Sequence, residues 1–315
     1  MIDLHHAGDG SAGRAQSDEE IWLLGQPSIG QYLEFLKDSV VDGPDIDPAE
    51  ATAEWRKANA YYESLERSES GIADTAGCRP LPARLSSLAA RVSDHPTFRK
   101  TYDTLPTEFG MVELDKLVMC QNSVTWTFVD AIKARLGTKP GPKSLFQCCM
   151  PLEARDLPVQ GHAMGSQRFA FRSVSNDFRF HEAKLFRPDQ VSSYTSFGPV
   201  SGVVGLVLGF GSNFLSVIKV GSRLLLHNGY HRACALRALG VTHAPCIITP
   251  VATNDELELI AKSSVVRNPE FFFKSHRPPI LKDYFDPQIR KSLITHKLVR
   301  IIEVNFEVKE YLVPA

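Results

Sequence analysis

The segment from Phe214 to Val251 constrains the fold more than any other part of the chain. Phe214 to Val220 alternates apolar and polar residues and is rich in Val and Ile, the pattern of a half-buried strand. Gly221-Ser222 fits a two-residue turn with Gly at its first central position, so Arg223 to His227 reads as the returning arm of a hairpin. Asn228-Gly229 breaks that arm. From Tyr230 the apolar residues Ala233, Leu236 and Leu239 recur at helical spacing, and Gly240 is placed to end the helix in the left-handed conformation. Pro245 to Val251 then forms a second apolar strand.

A strand that meets a helix through a glycine turn gathers unpaired backbone N–H groups and the positive end of a helix dipole at one point. His231 and Arg232 occupy the first helical turn, where acidic residues are the usual choice, so two cations add to a corner that is already electropositive. A phosphate group would relieve the conflict. The same residues also admit a structural reading, in which Arg232 pairs with a surface carboxylate and Gly229 only satisfies the turn.

The run HNGYHRACALRALGVTHAPCII resembles the signature segment of the ParB/sulfiredoxin superfamily, where a strand enters a G-x-x-R turn, an Ala-rich helix, a Gly and a further strand. Gly229 and Arg232 match the paired residues of that turn, while Ala233, Ala235 and Gly240 match the helix and its end. Phe178 to Val191 is similar to the opening strand and Leu-x-Pro-x-Gln segment of the same superfamily, and Val112 to Val118 is the alternative opening strand. The resemblance implies a phosphate cradle formed by Asn228, Gly229, Tyr230, His231 and Arg232. ATP or another nucleotide, with or without Mg²⁺, is the implied ligand. Tyr230 stands where sulfiredoxins carry their nucleophilic Cys, so peroxiredoxin repair is not implied. With the opening strand beside the turn, Glu182 is the carboxylate placed to act as general base or to hold Mg²⁺, and His231 is the second catalytic candidate. For Glu182 the simpler reading is a solvated strand residue.

Over 315 residues the chain has 35 Lys+Arg against 36 Asp+Glu, a net charge of −1, which disfavours bulk attraction to nucleic acid or an anionic membrane. An apolar share of 43% is enough for a packed core. The most apolar run, Val200 to Phe210, is about half of what a bilayer crossing needs. Six Cys occur without C-x-x-C spacing, and no signal peptide is evident, so the expected setting is a reducing cytoplasm. Cys234 falls inside the predicted helix as a small apolar residue. His227, His231 and His243 give no metal motif, because Asn228-Gly229 interrupts any helix between the first two.

Residues 1–18 read as a disordered tail and 19–140 as a mainly helical region. Asp47-Pro48-Ala49-Glu50 combines an N-cap, a first-turn Pro and a capping-box Glu, predicting a helix to Ser68 with Trp55, Ala58, Tyr62 and Leu65 buried. Phe98 to Phe109 reads as a loop. TKPGP at 138–142 marks a linker, and 141–315 is assigned to the ParB/sulfiredoxin-like domain with a C-terminal extension. Arg168 to Arg172 and Phe178 to His181 are expected to pair as a hairpin, with Phe in the core as the simpler reading and base stacking as the other. The Gly-rich stretch Phe197 to Asn213 suggests a helix and loop walling the pocket, with Ser212 and Asn213 as ligand hydrogen-bonders. Leu298 to Leu312 alternates Ile302, Val304, Phe306 and Val308 with Glu303, Asn305, Glu307 and Lys309, a long amphipathic strand whose free edge suits a homodimer.

Together these features predict a mixed α/β fold that binds a nucleotide or other phosphorylated small molecule at Gly229–Arg232, with ATP-dependent phosphotransfer as the chemistry. The alternatives are a nucleotide-gated DNA-associated switch in the ParB manner and a non-catalytic interaction protein that retains the fold.

Overall fold

The computed structural model describes residues 17–26, 28–153, 159–175, 177–191 and 198–314, so residues 1–16 of the expected tail lie outside it, as does Phe197. In chain order the elements are β1 (Ser17–Leu23), α1 (Ile29–Ser39), α2 (Pro48–Ser68), β2 (Cys78–Pro80), α3 (Ser86–Asp94), α4 (Pro96–Thr101), β3 (Glu108–Glu113), β4 (Ser123–Thr125), α5 (Trp126–Leu136) and α6 (Pro142–Cys149). There follow β5 (Val159–Gly165), β6 (Arg168–Ser173), β7 (Phe178–Phe186), β8 (Val203–Phe210), β9 (Ser216–Val220), β10 (Arg223–Asn228), α7 (Tyr230–Ala238) and β11 (His243–Val251). The chain continues through α8 (Asn254–Ile260), α9 (Ser263–Arg267), α10 (Pro269–Phe273), β12 (Arg290–His296) and β13 (Arg300–Asn305). The fold is mixed α/β.

Two compact units result, with boundaries other than the expected one between residues 140 and 141. One runs up to Leu152 and resumes at Asn213–Lys297; the other is Glu153–Ser212 with the chain from Leu298 onward. The N-terminal helices and the Phe214–Val251 segment therefore share one unit.

In the first unit, five strands align in the order β10-β9-β11-β3-β2. The β9–β10 hairpin turns through Gly221 at φ +58°, pairing Val220 with Arg223 as the Gly-Ser dipeptide requires. The chain then crosses through α7 and returns as β11, parallel to β9. β3 pairs antiparallel with β11 on its other side. Phe178–Phe186 is not part of this sheet; the strand on the far side of β11 is Glu108–Glu113, which shares only its last two residues with Val112 to Val118. Val118 follows it and bridges Leu225 and Ile280. The core fills both sides of α7, whose Tyr230, Arg232, Ala233, Cys234, Ala235 and Leu236 are all buried. Arg232 lies on this enclosed surface, whereas Arg237, on the part left open, pairs with Asp115 at 2.9 Å.

The same unit holds a three-stranded sheet, β12-β1-β4. Ser17 and Asp18, assigned to the tail by sequence, open β1 and pair with His296 and Thr295. The α2 helix starts and stops where its signals place it: the Asp47 carboxylate accepts from the Ala49 N–H at 2.8 Å and Pro48 occupies the first turn. Ala51, Ala58 and Tyr62 are buried on its inner face, with Trp55 and Leu65 packed partly against them. Burial of each large side chain contributes roughly 1.5–3 kcal/mol. The expected loop from Phe98 contains instead the short α4 helix, begun by Pro96 and by the His95 ring, which accepts from the Thr97 N–H.

The second unit contains the three-stranded sheet β13-β6-β5 and the pair β7-β8. Arg168–Ser173 and Phe178–Phe186 do not form the expected hairpin: β6 lies between β5 and β13, and β7 pairs with β8. The Gly-rich stretch is no helix. It forms β8, because its Val, Leu and Phe residues favour a strand and its Gly residues leave room for Phe186 and His181 of the facing strand.

Candidate functional site

The chain enters α7 through a strained corner. A register shift between Leu226 and Asn228 ends β10, and Gly229 turns the backbone at φ +95°. A β-carbon on Gly229 would lie 2.6 Å from Leu215 Cδ1 and 3.2 Å from both Leu215 Cα and Arg232 Nη2, so only Gly fits. No side chain caps the helix, and its first turn holds no acidic residue. The leading N–H groups therefore keep their usual need for an acceptor.

Arg232 is 5% exposed. Its Nη1 donates to the carbonyls of Cys149 at 3.2 Å and Cys148 at 3.4 Å, and to that of Asn213. Cys148 and Cys149 end α6, so the guanidinium sits at the negative end of that helix dipole. The surface ion pair weighed from sequence is not its role. Nη2 is buried without a partner and lies 3.2 Å from where a Gly229 β-carbon would stand, in close-packed surroundings. Desolvation lowers the pKa of Arg232, and the groups facing it are the Cys149, Cys148 and Cys246 thiols and the Tyr102 phenol, which are neutral at pH 7.

His231 does not supply the second cation expected from sequence. Burial, reinforced by the Arg232 charge, pushes its pKa down to about 4, so the imidazole is neutral near pH 7. It meets the half-exposed Phe128 ring edge to face at 5.4 Å. His227, just before the turn, is likewise held down to about 4 by burial and then by the Lys262 charge, and its Nδ1 is buried without a partner. Tyr230 turns into the core: its hydroxyl donates to the Leu226 carbonyl at 2.6 Å and lies 2.8 Å from Cys120 Sγ. Its side chain is committed there, leaving its backbone N–H at the corner.

Lys262 is a functional candidate that sequence reading missed. Its ammonium lies over the Tyr230 ring, 4.6 Å from the centroid, and its charge acts on His227, so a cation comes near the end of β10 from a point 30 or more residues along the chain. No local pattern ties it to Gly229. Asn228 is half-buried at the bulge, and Asn213 contributes its backbone carbonyl to Arg232. Ser212 and Glu182 belong to the second unit. Glu182 lies on β7 opposite Val207, in a sheet separate from the one that carries the corner. The basis for assigning it a catalytic position, a shared sheet, is thereby removed.

A cleft of about 380 Å³ in the first unit is lined by Tyr61, Glu69, Arg237, Arg277, Lys282 and Asp286 among others. Arg277 is 1% exposed and holds Asp283 through two bonds of 2.9 and 2.6 Å and Glu69 at 3.0 Å. That network ties α2 to the chain before β12. Among the described residues, no group of three or more His, Cys, Asp or Glu side chains is placed to hold a metal ion, and no helix is long and apolar enough to cross a membrane.

Comparisons with protein-family models, with curated proteins and with solved structures found no match. The class defined by fold and site is therefore a mixed α/β protein with a strand–glycine–helix corner backed by a buried guanidinium.

Proposed function

We propose that the Gly229 corner binds the phosphate of a nucleotide or other phosphorylated small molecule. The observation that carries this reading is Arg232: a cation only 5% exposed that keeps one unpaired donor just behind an uncapped helix start. Burying an ion costs several kcal/mol, and carbonyl bonds from Nη1 offset only part of that. An oxyanion at the first-turn amides would complete the compensation. The neutral His231 ring would donate one hydrogen bond, Lys262 would add charge at the rim, and Arg232 would act from behind. The likeness of HNGYHRACALRALG to the ParB/sulfiredoxin turn supports the same assignment. The proposal is binding; phosphotransfer would need a general base that Glu182 no longer supplies from the same sheet.

Thermal unfolding with inorganic phosphate, ADP, ATP and CTP, each with and without Mg²⁺, tests it. A ligand at 100 times its Kd raises stability by about 2.7 kcal/mol. His231→Ala should weaken the response while leaving the core intact. An unchanged midpoint with all four anions at millimolar concentration would refute the reading.

The free edge of β13 supports a second element of function. It ends its sheet, with exposed Ile301 on it and exposed Phe306 and Val308 in the chain just beyond, so we read it as a strand-addition surface.

A further inference from the structure

Beyond Asn305 the chain leaves the sheet but keeps its two-residue alternation. Phe306 donates its backbone N–H inward to the Gln167 carbonyl at 3.2 Å and stacks on Phe169, ring centroids 6.2 Å apart. With Phe306 turned inward, the N–H and C=O groups of Asn305 and Glu307 point to the open edge, and so do those of Ile301, Glu303 and Lys309. Lys309 pairs with Glu307 at 3.3 Å, two residues apart on one face, as extended backbone places them. Phe306, Val308, Tyr311 and Leu312 are 45, 61, 81 and 101% exposed. This segment, the edge of β13 and the chain that follows it to Leu312, thus leaves donors, acceptors and apolar side chains over.

We infer that its partner is a second copy of the same segment, laid antiparallel with the twofold axis at Phe306. The inference rests on the strand-addition reading above and names its occupant. In this register Glu303 faces Lys309 of the second copy and Lys309 faces its Glu303, giving two ion pairs. Val304 meets Val308, Ile301 meets Tyr311, and the two Phe306 rings adjoin across the axis as a non-hydrogen-bonded pair, the closer kind. Moving the axis to Asn305 would set Glu303 against Glu307; moving it to Glu307 would set that carboxylate against itself. The Asn305 axis would also pair Arg300 with Glu310, so what sets the Phe306 axis apart from both neighbours is that it opposes no like charges. The intrachain Lys309–Glu307 pair is exposed on both sides and yields readily to a new partner.

Sedimentation equilibrium of the full chain tests this with E303K, K309E and an equimolar mixture of the two. The wild type should dimerise. Each single variant opposes like charges twice in its own dimer and should raise the dissociation constant about tenfold. The mixture should recover wild-type affinity, because both contacts between an E303K chain and a K309E chain again set a lysine against a glutamate. A wild type that stays monomeric at 100 µM, taken as about the top of the usable range, overturns the strand-addition reading itself. A wild-type dimer whose affinity is unmoved by E303K or K309E, or not recovered on mixing, overturns the register while leaving that reading in place.

Discussion

Acid should unfold this protein through two histidines before it reaches most of its carboxylates. His227 and His231 have pKa values lowered from an ordinary 6.5 to about 4, chiefly by burial. The folded chain keeps both rings neutral, whereas the unfolded chain protonates them at the ordinary value. Their contribution to stability is therefore complete above about pH 6.5 and is lost progressively as pH falls toward 4. A shift of this size corresponds to on the order of 3 kcal/mol per ring. Two rings together approach a large share of the 5–15 kcal/mol that holds a typical domain. The assay is urea unfolding at pH 7, 6, 5 and 4 for the wild type, His227→Gln and His231→Gln. Each variant should lose less stability than the wild type between pH 6.5 and 4. Phosphate should narrow the His231 difference, since a bound oxyanion favours the protonated ring. Parallel curves for wild type and variants across that interval would refute the burial argument.

Gly229→Ala combines a left-handed backbone, about 1–2 kcal/mol for a residue with a β-carbon, with a 2.6 Å approach to Leu215 Cδ1, about 1–3 kcal/mol of overpacking. Its urea midpoint should fall by the equivalent of roughly 2–5 kcal/mol, and an unchanged midpoint would mean that the corner relaxes freely. Asp283→Ala removes the two-bond partner of Arg277, whose side chain is fully buried, leaving only Glu69, and should cost about 3–5 kcal/mol. Replacing both partners with apolar residues, Arg277→Met with Asp283→Leu, should cost less than Asp283→Ala alone; equal or greater loss in calorimetry would show that Glu69 and the local backbone depend on the cation itself.

Local order was open to inspection in the chain. Asp47-Pro48 fixed the start of α2 because a carboxylate cap and a proline act on their immediate neighbours, and Gly221 and Gly229 marked their turns because only glycine tolerates those φ values. The alternation of β9 and the spacing of α7 followed from the same short-range physics. The mixed α/β class needed no more than this.

Partnership across distance was another matter. More than 100 residues separate β3 from Gly229, and that interval made Phe178–Val191 look like the nearer strand. The interval holds the whole segment Glu153–Ser212, which folds into a separate unit, so separation along the chain did not measure separation in space. Lys262 reached the corner in the same unsignalled way. His231 and Arg232 have the composition of a surface cation pair, and nothing in their neighbours along the chain signalled enclosure. Only the packing of α7 within the core removed water from both, leaving one neutral and the other held by carbonyls. Side-chain identity sets which charges a chain can carry, but solvent access decides which it keeps, and access is settled only when distant segments close around a site.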